Sequence, residues 1–319
     1  MTVKARGKRR VGGASVLAIA MIVGIAASGA AGRDASYWTA NGKRLAYERA
    51  YRVGLMDANG QHRREFAGGF ERAAISPSGR LLARFIDMSG PRRRLVLKTL
   101  EGKRVRKFIV RTRPGDTITD PTWAPDESAV AFVNDRVGIF IADRRKGVRL
   151  LIRGDFGYYA VRPAWSPDSQ QILVEPCPSA CNYTVIHRDG SHARVVARGT
   201  NPEDPWAIAS PIAPWSPDGR WLLFARRRAI YRVHPDGSEE RRVTAGGAYR
   251  IVWSPDGRRL AYIGPKGISV VRVGGGTPHR ITTRTGQRSI AWAPAKRIVY
   301  SHRGVLWTVL PGQRPVAIR

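Results

Sequence analysis

Histidines, cysteines and acidic loop residues are the side chains of this 319-residue chain that could do chemistry. His187, Asp189 and His192 lie together in the stretch HRDGSH, which could ligate a metal ion but is more typical of a solvated hairpin turn. Cys177 and Cys181, in CPSAC, are too few for a zinc site, and the short loop between them favours a disulfide over two free thiols. The chain has no G-x-S-x-G, H-E-x-x-H, S-x-x-K or phosphate-binding glycine loop. We therefore expect no catalytic residue, no metal ion and no cofactor.

A repeated phrase, WSPDG followed by a short apolar run, shows which elements position the loops. It occurs seven times, complete or degenerate, and a second phrase with a glycine turn and an arginine-rich strand falls between successive copies. Each unit therefore contains two hairpins, and its length is typical of a four-stranded propeller blade. The residues before the turn are 37 to 50 positions apart, and they are Trp38, Ile75, Trp123, Trp165, Trp215, Trp253 and Trp292.

The physical chemistry of the phrase explains why it recurs. Proline fixes φ at the first central position of a turn, aspartate tolerates the second, and glycine accepts the positive φ that returns the chain antiparallel. The tryptophan before the turn is a large apolar plug. Apolar runs such as LAY and LLF, which do not alternate with polar residues, suit strands that are covered on both faces. The turn signature is partly lost at Glu127, Ser169 and Lys296.

The WSPDG repeats resemble those of TolB-type β-propellers, which also occur in the propeller parts of prolyl oligopeptidase relatives. The resemblance covers residues 35–319 and implies the fold more strongly than a function. TolB carries an α/β domain before its propeller, whereas here the repeats follow the N-terminal segment directly, and the repeats leave no residues for a hydrolase domain. We predict an all-β chain with a seven-bladed β-propeller of four-stranded antiparallel blades over residues 33–319. Six blades, as the TolB family suggests, is the alternative if the degenerate first copy is not a full blade.

The N-terminal segment has the pattern of an export signal. Basic residues up to Arg10 precede an apolar run and then the small residues SGAAG. We predict a signal peptide over residues 1–32. The alternative is an uncleaved signal-anchor helix, because residues 11–31 are enough to cross a bilayer of about 30 Å. In either case we expect the remainder to be exported, which makes it periplasmic, cell-surface or secreted.

Long loops in blades two to five are the predicted binding region, because loops on a rigid scaffold commonly carry function. They combine arginine, tyrosine and tryptophan, the residue types that dominate protein interfaces, with acidic residues. The alternative is that these loops only pack on each other. The candidate partner-binding residues are Arg92, Arg93, Arg111, Arg113, Asp116, Asp120, Tyr158, Tyr159, Arg162, Glu203, Asp204 and Trp206.

The net charge of +31 bears on the class of partner. Much of it falls on the predicted outer strands, where charge protects sheet edges from aggregation. A field this positive outside the cytoplasm would also attract anionic lipid or acidic wall polymers, whereas export and the lack of a reading motif argue against nucleic acid. We predict a monomeric, non-enzymatic scaffold for a protein or an anionic envelope polymer, with membrane-surface association as a further option. The alternative is a propeller enzyme, a hydrolase or lyase, with a site centred on the channel.

Overall fold

The fold is built from β-strands alone in the part of the chain that can be described. The computed structural model describes residues 35–38, 44–49, 52–57, 61–67, 73–87, 92–118, 121–154, 163–174, 182–198, 214–226, 229–248, 250–283, 287–292, 297–302 and 305–318. Every helix or strand assigned within these ranges is a strand, which confirms the predicted all-β class. No helix long and apolar enough to cross a membrane occurs in these ranges. The predicted signal or anchor segment, residues 1–32, lies outside them.

The strands form seven antiparallel sheets within the described residues, and each sheet uses strands that are consecutive in sequence. Sheet 1 contains β1 (Ala35–Trp38), β2 (Arg44–Arg49), β3 (Arg52–Asp57) and β4 (Arg64–Ala67), and sheet 2 contains β5 (Ala73–Ile75), β6 (Leu81–Asp87), β7 (Arg92–Thr99) and β8 (Arg104–Arg111). Sheet 3 contains β9 (Thr122–Trp123), β10 (Ala129–Asn134), β11 (Gly138–Asp143) and β12 (Gly147–Arg153), and sheet 4 contains β13 (Ala164–Trp165), β14 (Gln171–Val174), β15 (Asn182–His187) and β16 (Arg194–Arg198). Sheet 5 contains β17 (Leu222–Arg226), β18 (Ala229–Val233) and β19 (Arg241–Arg242). Sheet 6 contains β20 (Arg250–Trp253), β21 (Arg259–Gly264), β22 (Gly267–Arg272) and β23 (His279–Thr282). Sheet 7 contains β24 (Gln287–Trp292), β25 (Ile298–His302), β26 (Val305–Val309) and β27 (Val316–Ile318).

The first strand of each four-stranded sheet lies on the inside of the assembly. Strand β9 contacts both β5 and β13, while β24 contacts both β20 and β1, so the first and last sheets meet. In sheet 5, Trp215 forms an isolated bridge to Leu222 at the place where the other sheets have their first strand. The sheets thus stack around a common axis, and the two turns of each sheet lie at one end while the loops lie at the other.

The hydrophobic core lies between the sheets. One buried cluster joins sheets 1 and 2, another joins sheets 2 and 3, and others join sheets 3 and 4, sheets 4 and 5, and sheets 5 to 7. All six residues of β10 are buried, because its two faces pack against different neighbours. The continuous apolar runs predicted from the sequence are therefore strands covered on both sides.

The WSPDG turn satisfies its own polar groups. In the copy at Ser254, the hydroxyl Oγ donates to Asp256 Oδ1 at 2.6 Å and accepts the backbone N–H of Arg259 at 2.8 Å. The same aspartate oxygen accepts the N–H of Arg258 at 3.0 Å, and Gly257 has a φ of 68°. The copies at Ser166 and Ser216 repeat the hydroxyl-to-carboxylate bond at 2.5 and 2.6 Å. Aspartate is thus more than a residue that tolerates its position, because it holds the turn closed.

The degenerate copies replace the turn glycine with a side chain that reaches the neighbouring sheet. Glu127 and Ser169 have φ values of 58° and 64°, a region in which non-glycine residues are uncommon. Glu127 Oε1 accepts the N–H of Ser78 at 2.5 Å, and Ser169 Oγ accepts the N–H of Asp126 at 3.0 Å. Each donor belongs to the turn of the preceding sheet. The lost glycine is therefore compensated by a hydrogen bond between sheets.

The buried tryptophans also connect neighbouring sheets through their indole N–H. The Nε1 atoms of Trp123, Trp165 and Trp215 donate to the carbonyls of Ala74, Thr122 and Ala164 at 3.0, 3.1 and 3.0 Å. Each acceptor directly precedes the corresponding plug residue of the sheet before. Among the described residues, the buried Nε1 atoms of Trp253 and Trp292 have no hydrogen-bond partner. The relay of indole bonds thus runs from sheet 2 to sheet 5.

Substitution of a plug tryptophan by phenylalanine should destabilise the fold more where the indole N–H is hydrogen-bonded than where it has no partner among the described residues. Trp215→Phe removes a hydrogen bond and leaves the Ala164 carbonyl without that donor, whereas Trp253→Phe removes a buried donor that has no partner. Both indoles are almost fully buried, so the change in packing is similar. We expect Trp215→Phe to lower the free energy of unfolding by about 1 kcal/mol more than Trp253→Phe does. Urea denaturation of the two variants measures this difference, and equal losses would refute the relay.

Candidate functional site

The candidate site is a group of arginines at the loop end of sheets 2 and 3. Arg92 begins β7 and Arg111 ends β8, and the two are paired directly across the hairpin. Arg113 follows Arg111 by two residues. The turn between β10 and β11 brings Arg136 beside this segment, since a Cβ built on Gly115 would lie 3.2 Å from the Nη1 atom of Arg136. We call the following five exposed residues the arginine rim: Arg92, Arg111, Arg113, Arg136 and Arg153.

A set of buried polar residues fixes the loop that carries Arg113. Asp116 Oδ2 accepts the backbone N–H of Arg113 at 2.8 Å and the side-chain amide of Asn134 at 2.9 Å. Asp135 Oδ1 accepts the N–H of Thr117 at 2.8 Å, and the Asp135 N–H donates back to the Thr117 carbonyl at 3.0 Å. Asp116, Asn134 and Asp135 are 5%, 0% and 6% exposed. The loop after β8 is therefore bonded to the β10–β11 turn of the next sheet.

The charges of the site are separated by depth. Burial tends to raise the pKa of Asp116, but the hydrogen bonds from Asn134 and the Arg113 N–H, with the positive charges of Arg113 and Arg136, outweigh it and lower this pKa. The carboxylate thus stays ionised beneath the surface, and Asp116 Oδ1 has no hydrogen-bond partner among the described residues. The guanidinium groups lie above it in solvent. The surface that a partner would meet is therefore positive.

Among the described residues, no rim guanidinium forms a salt bridge or a hydrogen bond, and this decides what the rim can bind. Arg92, Arg111, Arg113, Arg136 and Arg153 are exposed, and within the described ranges no carboxylate lies within salt-bridge distance of them. Guanidinium groups bind carboxylate, phosphate or sulfate groups in a forked geometry. In the described part of the chain, no cluster of three or more His, Cys, Asp or Glu side chains could hold a metal ion.

The structure brings together part of the predicted site. Arg92, Arg93, Arg111 and Arg113 lie at one end of sheet 2, and Asp116 lies beneath them as their support. Sequence reasoning missed Arg136 and Arg153, because they occupy a short turn and a strand end that loop length does not mark. The predicted residues outside the described ranges are Asp120, Tyr158, Tyr159, Arg162, Glu203, Asp204 and Trp206, together with the proposed disulfide partners Cys177 and Cys181.

The stretch HRDGSH forms a hairpin turn, as its composition indicated. Asp189 Oδ1 accepts both the N–H and the hydroxyl of Ser191, at 2.8 and 2.6 Å. The rings of His187 and His192 are 4.7 Å apart at their centroids. The carboxylate of Asp189 is thus used within the turn, whereas the guanidinium of Arg188 in the same stretch bonds to the preceding sheet.

Comparison with solved structures places the fold among β-propellers. The β-propeller domain of Cps50 (Swd1) from Myceliophteria thermophila superposes with a TM-score of 0.62 over 89% of this chain and 98% of that domain, at 15% identity. An oligogalacturonate lyase in complex with manganese gives 0.58 over 88% of this chain and 94% of that one, at 16% identity. TolB from Acinetobacter baumannii gives 0.47, with 19% identity, over 87% and 76%. The first two likenesses show that the chain has the propeller fold that its repeats predicted.

Comparison with curated sequences gives a partial match. The uncharacterized peptidase YuxL of Bacillus subtilis is 27% identical over 34% of this chain. The chain spans about a fifth of the length of that relative, since the match covers 21% of it. No family model matches the chain. The activity of this protein must therefore be argued from its own side chains.

The support beneath the rim predicts a pH-dependent effect of one substitution. Because the folded-state pKa of Asp116 lies below its ordinary 3.8, the ionised group stabilises the fold above the unfolded-state pKa, and this contribution is lost as pH falls through the folded-state pKa. Asp116→Asn keeps the shape without the charge, so we expect it to cost about 1 kcal/mol at neutral pH. The cost should shrink steadily below about pH 4. Urea denaturation across this range tests it, and a cost independent of pH would contradict the assignment.

Proposed function

We propose that this chain is an exported, seven-bladed propeller that acts as a non-enzymatic binding scaffold. Its arginine rim would hold an acidic protein surface or an anionic envelope polymer. The observation that carries the proposal is a set of exposed guanidinium groups that form no salt bridge or hydrogen bond among the described residues, beside a loop that buried hydrogen bonds hold in place. A rigid cationic surface binds anions with little loss of conformational freedom.

Two arginines of the same chain that have a structural role, Arg188 and Arg226, are bonded to carboxylates. Arg188 is 19% exposed, and its guanidinium bonds to Asp126, Ser128 and Asp143 of the preceding sheet at 3.2, 2.7 and 3.0 Å. Arg226 forms a forked pair with Glu240 at 2.7 and 3.1 Å. These side chains have carboxylates close by. The rim arginines are exposed and have no carboxylate within salt-bridge distance among the described residues, which supports a role in binding something outside the chain.

The rim also contains a repulsion between like charges that destabilises the folded state. Arg92 and Arg111 face each other as a cross-strand pair, and like charges in this position destabilise a sheet by up to about 1 kcal/mol. An anionic partner would remove that repulsion when it binds. The electrostatic attraction would also speed the encounter and weaken with rising salt.

The blade count and the export of the chain are part of the proposal. The seven sheets of the described residues support one blade for each, including sheet 1, which has four strands although its turn sequence is degenerate. This observation favours seven blades over six. Export rests on the sequence of residues 1–32 alone.

Export makes a simple prediction about the mature protein. If the signal peptide is cleaved, N-terminal sequencing of the purified chain should begin close to Arg33. A chain that begins at Met1 and stays with the membrane fraction would instead support the anchor formed by residues 11–31. A chain that begins at Met1 and remains in the cytoplasm would contradict export.

The role of the rim can be tested by comparing charge reversal at the loop end with the same charge reversal at the turn end. We expect Arg113→Glu with Arg136→Glu to weaken binding to poly-L-glutamate and polygalacturonate at low salt by at least about tenfold. The matched control is Arg145→Glu with Lys146→Glu, which changes net charge equally but lies at the turn end of sheet 3, where both side chains are exposed.

Two outcomes would contradict the proposal. Equal losses in the two double variants would mean that net charge, and not the rim, attracts the polymers. Shortening of polygalacturonate chains in the same samples would mean that the protein is an enzyme rather than a scaffold.

A further inference from the structure

The outermost strand of sheet 2, β8, is longer than the outermost strands of the other sheets. Strand β8 has eight residues, whereas the outermost strands of the other sheets have two to seven. Among the described residues β8 is hydrogen-bonded to β7 alone. No strand of the described residues covers its other edge, so the backbone N–H and C=O groups there could pair with a further strand.

The two faces of β8 have opposite characters. Phe108 and Val110 are buried against sheet 3. Lys107, Ile109 and Arg111 alternate with them on the other face and are exposed, with Ile109 48% exposed. This alternation places a positive charge, an aliphatic side chain and a second positive charge in a row at intervals of about 6.8 Å.

Strand β7 extends the same surface. Arg92 and Arg94 are the cross-strand partners of Arg111 and Ile109, and Val96 is the partner of Lys107. Four cations thus surround one exposed isoleucine, and no carboxylate of the described residues lies within salt-bridge distance of them. The Nε atom of Arg94 is buried and has no hydrogen-bond partner among those residues. The surface therefore lacks negative charge that a partner could supply.

We infer that the open edge of β8 binds an extended acidic segment of a partner protein as a fifth strand of sheet 2. Opposite Lys107, Ile109 and Arg111, such a segment would carry the pattern acid-x-aliphatic-x-acid, because cross-strand neighbours lie about 5 Å apart. Its backbone would pair with β8, its carboxylates would pair with the cations, and its aliphatic residue would cover Ile109.

Other occupants fit this surface less well. A second copy of the chain would place β8 against β8 and bring Arg104, Arg106, Lys107 and Arg111 against like charges, which is destabilising. An anionic polysaccharide could meet the cations but has no peptide groups to pair with the edge. The inference goes beyond the proposed function, because this surface follows the outer edge of sheet 2 and shares only Arg92 and Arg111 with the rim.

The experiment uses the mature protein and three synthetic peptides. The parent peptide, acetyl-TETVTET-amide, has the predicted pattern, and two derivatives carry N-methyl groups on one or the other alternate set of residues. Only one alternate set of amides in an added strand points at β8. We expect one N-methyl derivative to lose at least about tenfold in affinity while the other keeps the affinity of the parent. Equal binding of all three peptides would overturn the inference, because attraction between charges would then be sufficient.

Variants locate the binding site independently. Lys107→Glu should weaken binding of the parent peptide by at least about tenfold, and exchange of the one peptide glutamate that faces position 107 for lysine should restore part of the affinity to this variant. Arg113→Glu with Arg136→Glu should leave peptide binding nearly unchanged. If the rim variant loses the peptide while Lys107→Glu keeps it, the peptide binds at the rim and the edge inference is wrong. If Lys107→Glu does not fold, the two N-methyl peptides on the unmodified protein still decide.

Discussion

The contact between the turn of one sheet and the turn of the sheet before it is the constraint on which the rest of the structure depends. A sheet that is apolar on both faces cannot be stable alone, so its stability comes from its neighbours. The tryptophan before each turn fills the space between sheets, and in sheets 3 to 5 its indole N–H also fixes the distance to the carbonyl of the preceding sheet. The turn glycines pack equally closely, since a Cβ on Gly257 would lie 3.4 Å from Pro217. Register within a sheet and spacing between sheets are thus set at the same place.

The fold could be predicted from the sequence because these constraints are local and repeated. The turn residues, the plug and the apolar runs each require only their neighbours in the chain, and the period then determines the architecture. What Glu127 and Ser169 do could not be predicted in the same way, because the atoms they bond belong to a different repeat. The positive φ of each residue follows from its turn position. The hydrogen bonds that their side chains accept from the N–H groups of Ser78 and Asp126 form only when two sheets are stacked.

The same difference explains how much of the candidate site was predictable. Loop length drew attention to the segment after β8, and its arginines were found. The role of Asp116 was not, because its partner Asn134 lies in the following repeat and is fully buried. Arg136 was overlooked because its turn is short, although that turn supports the longer loop beside it. Loop length therefore indicates which loop carries the candidate site, whereas the groups that hold this loop in place come from the adjacent sheet.

Arginine serves at least two purposes in this chain, and position separates them. Near the turn end, Arg149 and Arg194 donate to the carbonyls of Asp189 and Asp236 in the next sheet at 3.1 and 3.3 Å, so part of the positive charge on the outer strands joins the sheets together. At the loop end of sheets 2 and 3 the guanidinium groups of the five rim arginines extend into solvent with no such acceptor among the described residues. The loop end is already held by buried bonds around Asp116, which leaves its arginines available to a partner.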